Sequence, residues 1–467
     1  MRTNAILGLA VVATMGLAAG AIQAFACGSP LERKAIQAVA DDEGVRERAI
    51  QGLRQAGPAG LNALLQTYVD QLAQHAPQDQ KNSLTTTAIP AIVVNGQAQP
   101  DEQAVAAAAA ATERAEYEAK IWGRVKVALD AVGGQKDNHT ARLFWYTDLE
   151  EAKAAAKTSG KPILSLRLLG KLTDELSCAN SRFFRTMLYP NAEINKLLRE
   201  NYILHWETFR NVPIVTIDFG DGRKIVRTLT GNSIHYVLDS EGRPIDAIPG
   251  LYGPPAFLRQ LQAAQGLSEK LAKVDGNEWR RVLRKYHSDR EQEIVEAWTN
   301  DLKAANIPIN YPSTHKSFGP MAQILDKSTT EEGWQQLAAM HAPDAQLDAA
   351  GVAAVKEKAP PDAALAGRRA ISKAFVETPW MKMVRNLQGS TALDTVKNEY
   401  SLHSQIHDWY ANNQVSADVQ QLNDKVYAQL FLMPSTDPWL GLSTPDQFSG
   451  ITNGGLVETQ TAVVEQK

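Results

Sequence analysis

The chain has 467 residues, a formal net charge of -4, and hydrophobic and charged fractions of 44% and 21%. That length suits about two or three domains, and the composition is that of a globular protein. A slightly acidic balance without a basic block argues against a nucleic-acid partner, which would need a concentrated basic face.

Residues 1–26 read as an export signal. Arg2 supplies a short positive region, "AILGLAVVATMGLAAGA" (5–21) an apolar run of small residues, and "AFA" (24–26) the small residues a signal peptidase reads. Export directs the chain to the periplasm or cell envelope. No later stretch approaches the ~20 apolar residues of a membrane span, so no transmembrane span is expected. Cleavage after Ala26 would leave Cys27 first, which is the residue acylated in a lipoprotein and so a lipid anchor. Ala24, however, stands where such signals usually carry leucine, and plain release is the default. Cys27 and Cys178 are the 2 cysteines of the chain, too few for a disulfide framework. If Cys27 is acylated, Cys178 is the sole thiol of the mature chain; if not, the two could pair in an oxidising compartment.

From about residue 27 to 75 the apolar spacing is helical on both sides of "AGPAG" (56–60). Val45, Ala49 and Leu53 form one stripe, and Leu61, Leu64, Leu65 and Val69 another. The pattern resembles one HEAT-type repeat, but solenoids need several, so a helical hairpin packed on the rest is expected. Residues 76–103, with Pro77, Pro90 and Pro100, read as a linker. Residues 104–142 open with a long helix of strong helix formers.

Between about Leu143 and residue 265 the pattern becomes α/β. "PILSLRLL" (162–169) is an apolar strand, 181–201 is helical with a break at Pro190, and "YILHWETF" (202–209) alternates as a strand. "VTIDFGDGRKIVRTL" (215–229) carries a hairpin signal at Gly-Asp-Gly. Residues 233–250 read strand, turn, strand, and 254–266 return to helix. Residues 266–436 read as helical, clearest at 279–305 and 391–413. Pro360-Pro361 marks a joint, and 437–467 an irregular tail.

A strand, a loop, the Cys-x-x-Ser of "DELSCANSRFF" (174–184), a helix and a second strand follow one another here. This order resembles the thioredoxin superfamily, in particular exported members with a "GKP(V/I)L" strand before the motif. "SGKPILSLRLLG" matches the first core strand, and "YPNAEINKLLRENYILHW" the helix break and next strand. "YVLDSEGRPIDAIPGLYGPPAFLRQL" (236–261) matches the closing hairpin and last helix. The resemblance covers about a quarter of the chain. It implies an α/β thioredoxin-like central domain flanked by all-α N- and C-terminal regions. It places Cys178 on the family's nucleophilic cysteine and Ser181 on its resolving one.

A thiol in a first helical turn faces free backbone N–H groups and the positive end of the helix dipole, which favour the nucleophilic thiolate. Arg182 and Arg185 could add to this, while Asp174 and Glu175 would oppose it. The candidate catalytic set is therefore Cys178, Ser181 and Arg182. Serine cannot resolve a mixed disulfide, so an adduct on Cys178 would await an outside thiol. The expected activity is that of a monothiol thiol-disulfide oxidoreductase or thiol trap acting on protein thiols or disulfides of the envelope. The alternative is a non-catalytic scaffold with a degenerate thioredoxin domain, Cys178 being a small buried hydrophobe. Two departures favour the alternative: Ser177 replaces the family's Trp, and Ser233 its cis-proline.

Glu399, His403 and His407 stand at i, i+4 and i+8 of "NEYSLHSQIHDWY" (398–410). Without a His-Glu-x-x-His order or a fourth ligand, a polar helix face or packed histidines are expected rather than a metal. No cofactor is expected. "FWY" (144–146) and Trp409-Tyr410 are expected to anchor core, and "DPWLGL" (437–442) to tie down the tail.

Overall fold

In the computed structural model of the chain, residues 29–75, 91–94, 97–100, 102–311, 321–359, 379–440 and 450–452 are described. The export signal, Cys27, Pro360-Pro361, residues 76–90 of the linker and most of the tail lie outside them. No described helix is long and apolar enough to cross a membrane. Residues through Gln414 group into one compact unit, and those from Val415 into another. The helical region that follows residue 265 therefore belongs, as far as Gln414, to the same unit as the α/β part.

The N-terminal helices are α1 (Pro30–Gln37), α2 (Glu43–Gln55), α3 (Pro58–Thr67) and α4 (Val69–Gln74). Ser29 and Glu32 form a capping box on α1, and Asp42 caps α2 by accepting from the Val45 N–H at 2.8 Å. Gly57, at φ +65°, turns the chain into α3, where Pro58 takes the first position. A Cβ on Gly60 would lie 1.9 Å from the Leu53 carbonyl oxygen, so only glycine lets α2 and α3 approach this closely. Ala49, Leu53, Leu61 and Leu64 are buried as their spacing predicts, against Val125, Leu129 and Val132 of α5 (Glu102–Gly133). Val69 is exposed instead, because α3 ends at Thr67 and Tyr68 takes the inward position. Within the span read as linker, β1 (Ala91–Val94) pairs antiparallel with β2 (Gln97–Pro100).

The central sheet contains β3 (Trp145–Tyr146), β4 (Ile163–Leu169), β5 (Ile203–Arg210), β8 (Ser233–Leu238) and β9 (Pro244–Pro249), in the order β3-β5-β4-β8-β9. β3, β5 and β4 run parallel, and β8 and β9 continue antiparallel. Parallel neighbours require helical crossovers. These are α6 (Leu149–Ser159) after β3, then α7 (Ala179–Phe183), a π-helical turn (Phe184–Leu188) and α8 (Ala192–Asn201) after β4. β4, β8 and β9 are buried at every residue, so their sequences are mostly apolar, with the polar Ser165, Arg167, Ser233, His235 and Asp246 buried among them. β6 (Ile214–Asp218) and β7 (Lys224–Thr228) form a separate two-stranded ribbon, turned at Gly220 and Gly222 with φ of +76° and +90°. Trp145 is fully buried and donates from Nε1 to Gln135 at 2.8 Å, so it anchors core as expected.

Arg54 joins the N-terminal helices to this sheet. It donates to the Val132 and Trp145 carbonyls at 2.9 and 2.6 Å and lies 4.5 Å from the centre of the Phe144 ring. Beyond the sheet follow α9 (Pro254–Leu271), α10 (Gly276–Ala304), α11 (Met321–Ser328), α12 (Glu331–Met340), α13 (Ala349–Lys358) and α14 (Pro379–Lys397). A π-helical turn (Asn398–His403) then leads into α15 (Ser404–Ala411). Trp298 packs on Trp334 and stacks on Tyr400, with ring centres 5.2 and 5.5 Å apart, at the centre of an apolar cluster with Leu325 and Leu337. In the second unit, Asp418 caps a short helix (Val419–Lys425) that passes into a π-helical turn (Val426–Leu430). There Leu440 of the "DPWLGL" stretch is buried and Trp439 exposed.

Candidate functional site

Cys178 is the N-cap of α7, with φ -57° and ψ 158°. Its N–H donates to the Leu169 carbonyl at 3.3 Å, which ties the start of the helix to the end of β4. Ser181, one turn on, donates its hydroxyl to the Cys178 carbonyl at 2.8 Å and lies 3.4 Å from Sγ. With its proton on the carbonyl, Ser181 Oγ meets the sulfur through a lone pair, so the S–H is the donor of that contact. The expected pair is therefore assembled, but both residues are fully buried.

The cover is local. The Ala179 N–H reaches the Thr230 carbonyl at 3.5 Å, and Asn180 Nδ2 donates to Ser233 Oγ at 3.1 Å. A Cβ on Gly231 would sit 2.8 Å from Asn180 Oδ1, so glycine permits the segment from β7 to β8 to cross the start of α7. Ser233 accepts from Asn180 beside this turn, and no cis peptide occurs among the described residues.

The arginines serve the loop as well. Arg182 donates to the Ser177 carbonyl at 2.6 Å and to Thr228 Oγ1 at 2.7 Å. Arg185, 1% exposed, donates to Asp137 at 3.0 Å, to the Asp174 and Glu175 carbonyls at 2.5 and 3.1 Å, and to Ser177 Oγ at 3.0 Å. Burial opposes the Asp137 carboxylate, but Lys358 at 2.7 Å and Arg185 outweigh it and hold its pKa below the usual value.

A second constellation lies between β9 and the C-terminal helices. Asp246 of β9, His403 and His407 bring donor atoms within 4.8 Å of one another, and all three are buried. Asp246 Oδ1 accepts from the Ala247 N–H at 2.8 Å, and Tyr286 donates to Oδ2 at 3.4 Å. His287 of α10 places Nδ1 2.7 Å from His407 Nδ1 and Nε2 3.0 Å from the Ile245 carbonyl. Burial lowers the His287 pKa to about 4. It also pushes His407 well down, helped by His403 and His287. Burial opposes the Asp246 carboxylate, but His403 and His287 outweigh it and keep its pKa below the ordinary value.

The sequence pointed to His403 and His407 and paired them with Glu399. The π-helical turn over 398–403 breaks that i+4 relation, and Glu399 accepts from Gln260 Nε2 at 3.0 Å instead. Asp246 and His287 carry the rest of the cluster. The signal for Asp246 was a lone carboxylate in "PIDAIP", a strand buried throughout; His287, among the charges of α10, had none. No protein-family model matches the chain, and no curated protein matches it.

Proposed function

We propose that this is an exported cell-envelope protein built on a thioredoxin-like domain that has become a non-catalytic scaffold. The observation that carries this reading is the burial of Cys178, at 0% exposure beneath the segment from Thr228 to Ser233. A thiol nucleophile must reach its disulfide, and this one spends its proton on Ser181. The thioredoxin-like part is supported by the strand order, with three parallel strands followed by two antiparallel, and by a Cys-x-x-Ser at the helix after the second strand. Export is supported by the sequence of residues 1–26, with Cys27 the residue a lipid anchor would use. The ribbon β6–β7 supports a binding role. Ile214, Phe219 and Leu229 are more than half exposed there, an apolar surface of the kind that marks a contact with another protein.

The test is thiol accessibility. In the folded full chain at pH 8, Cys178 is expected to react with iodoacetamide at least ~10³-fold more slowly than in denaturant, since modification must wait for opening. Labelling within minutes in native buffer would overturn the scaffold reading. So would mixed disulfides trapped in cells and lost on Cys178→Ala, which would restore the thiol-trap reading.

A further inference from the structure

We propose that Asp246, His403 and His407 form a buried site for one divalent transition-metal ion of the zinc type, with His287 as the positioning residue for His407. The proton positions follow from the contacts. A carbonyl oxygen only accepts, so the Ile245 carbonyl at 3.0 Å requires an N–H on His287 Nε2. With its proton on Nε2, His287 offers Nδ1 as an acceptor, and His407 Nδ1, 2.7 Å away, donates to it. With its proton on Nδ1, His407 has a bare lone pair on Nε2, which is buried and has no hydrogen-bond partner among the described residues.

His403 is in the same condition at both ring nitrogens, at 1% exposure, and its Nε2 lies 3.9 Å from Asp246 Oδ1, too far for a hydrogen bond. Buried polar atoms are nearly always satisfied. Here three ring nitrogens lack partners beside a carboxylate that two groups hold in place, the Ala247 N–H and the Tyr286 hydroxyl.

A cation satisfies two of these nitrogens, His407 Nε2 and one of His403, together with the Asp246 carboxylate. Two imidazoles and one carboxylate, without thiolate, suit zinc and its neighbours in the first transition row. Tetrahedral ligands at about 2.0–2.2 Å from the ion lie roughly 3.3–3.6 Å apart. The donors, within 4.8 Å of one another, therefore draw in by about 1.5 Å at most. The chain from His407 through His287 to the Ile245 carbonyl is the outer-shell orientation that metal-bound histidines use. Because Asp246 is on β9 and the histidines are on the last helices of the unit, the ion would tie the sheet to the helical region. The arrangement also explains why a strand buried throughout carries a carboxylate.

The probe is Co(II), added to the full chain after chelator treatment. The expected result is one equivalent bound, with the intense visible bands of a low-coordinate site. Zn(II) should displace it and raise the melting temperature. His407→Gln and His403→Gln should abolish the bands, while His341→Gln, at a histidine between two other carboxylates, should keep them. Should the cluster variants fail to fold, the wild-type spectrum and melt decide. No stoichiometric bands and no Zn(II)-dependent rise would overturn the proposal, leaving Asp246 and His403 as buried polar neighbours. Bands that survive His407→Gln would overturn it equally, as binding elsewhere.

Discussion

Arg185→Met tests whether the Cys178 turn is held shut by design of its surroundings. The guanidinium is 1% exposed, pairs with Asp137 and donates to two loop carbonyls and to Ser177 Oγ. Methionine fills much of the volume but leaves those acceptors without their donor. Removing one partner of a buried ion pair costs about 3–5 kcal/mol. Asp137 keeps Lys358 at 2.7 Å, so its charge stays compensated and the low end, about 3 kcal/mol, applies. With an m-value near 3 kcal/mol/M, the urea midpoint should fall by about 1 M at constant m. Because the loss lies in the loop that carries Cys178, native-state labelling of that thiol should speed up by about 10²-fold, the same energy read as an opening equilibrium. Arg185→Lys, which keeps the charge and loses the planar fork, should fall in between. A midpoint shift below about 0.2 M would refute the reasoning. Strict additivity with Asp137→Asn in a double-mutant cycle would remove the ion pair from it.

Two further outcomes follow from the same geometry. His341 lies 2.7 Å from Asp301 and 3.1 Å from Asp344, and the bond to Asp344, against burial and with Asp301 assisting, raises its pKa to about 9. A raised folded-state pKa adds stability that is complete below about 6.5 and fades as pH rises to about 9. Wild type should therefore lose roughly 2–3 kcal/mol more than His341→Gln across that window, and parallel urea-midpoint curves would contradict it. Ser181→Cys restores a two-cysteine motif where Cys178 Sγ and the Ser181 oxygen are already 3.4 Å apart. A bonded pair of sulfurs needs about 2.05 Å, so a small rotation closes it. The variant should form that disulfide on mild oxidation, detected by peptide mapping, and two thiols left free would show that the turn cannot adopt the geometry.

Much of the α/β region was legible in the sequence because its signals are local. "PILSLRLL" reads as strand since apolar residues dominate it, with only Ser165 and Arg167 polar, and Gly-Asp-Gly reads as a turn since Gly220 and Gly222 need positive φ. Ser29, Asp42 and Gly57 punctuate the N-terminal helices by capping and φ preference alone. Less legible were breaks in helical phase. Val69 fits the helical stripe but is exposed, because a break at Tyr68 shifts the phase. Glu399 fits a ligand spacing but leaves the face, because the helix widens to a π turn.

The sequence by itself determined β4, β5, β8 and β9, their turns and the position of Cys178 at a helix start, since these depend on residues within a turn or two. Only the tertiary structure decided whether that thiol meets solvent. Thr230, Gly231 and Ser233, some fifty residues further on, meet the start of α7 at Ala179 and Asn180, an approach that Gly231 permits by having no side chain. The same holds for the histidine cluster: Asp246, His287 and His407 come from three separated elements, and no local period connects them until the sheet and helices pack together.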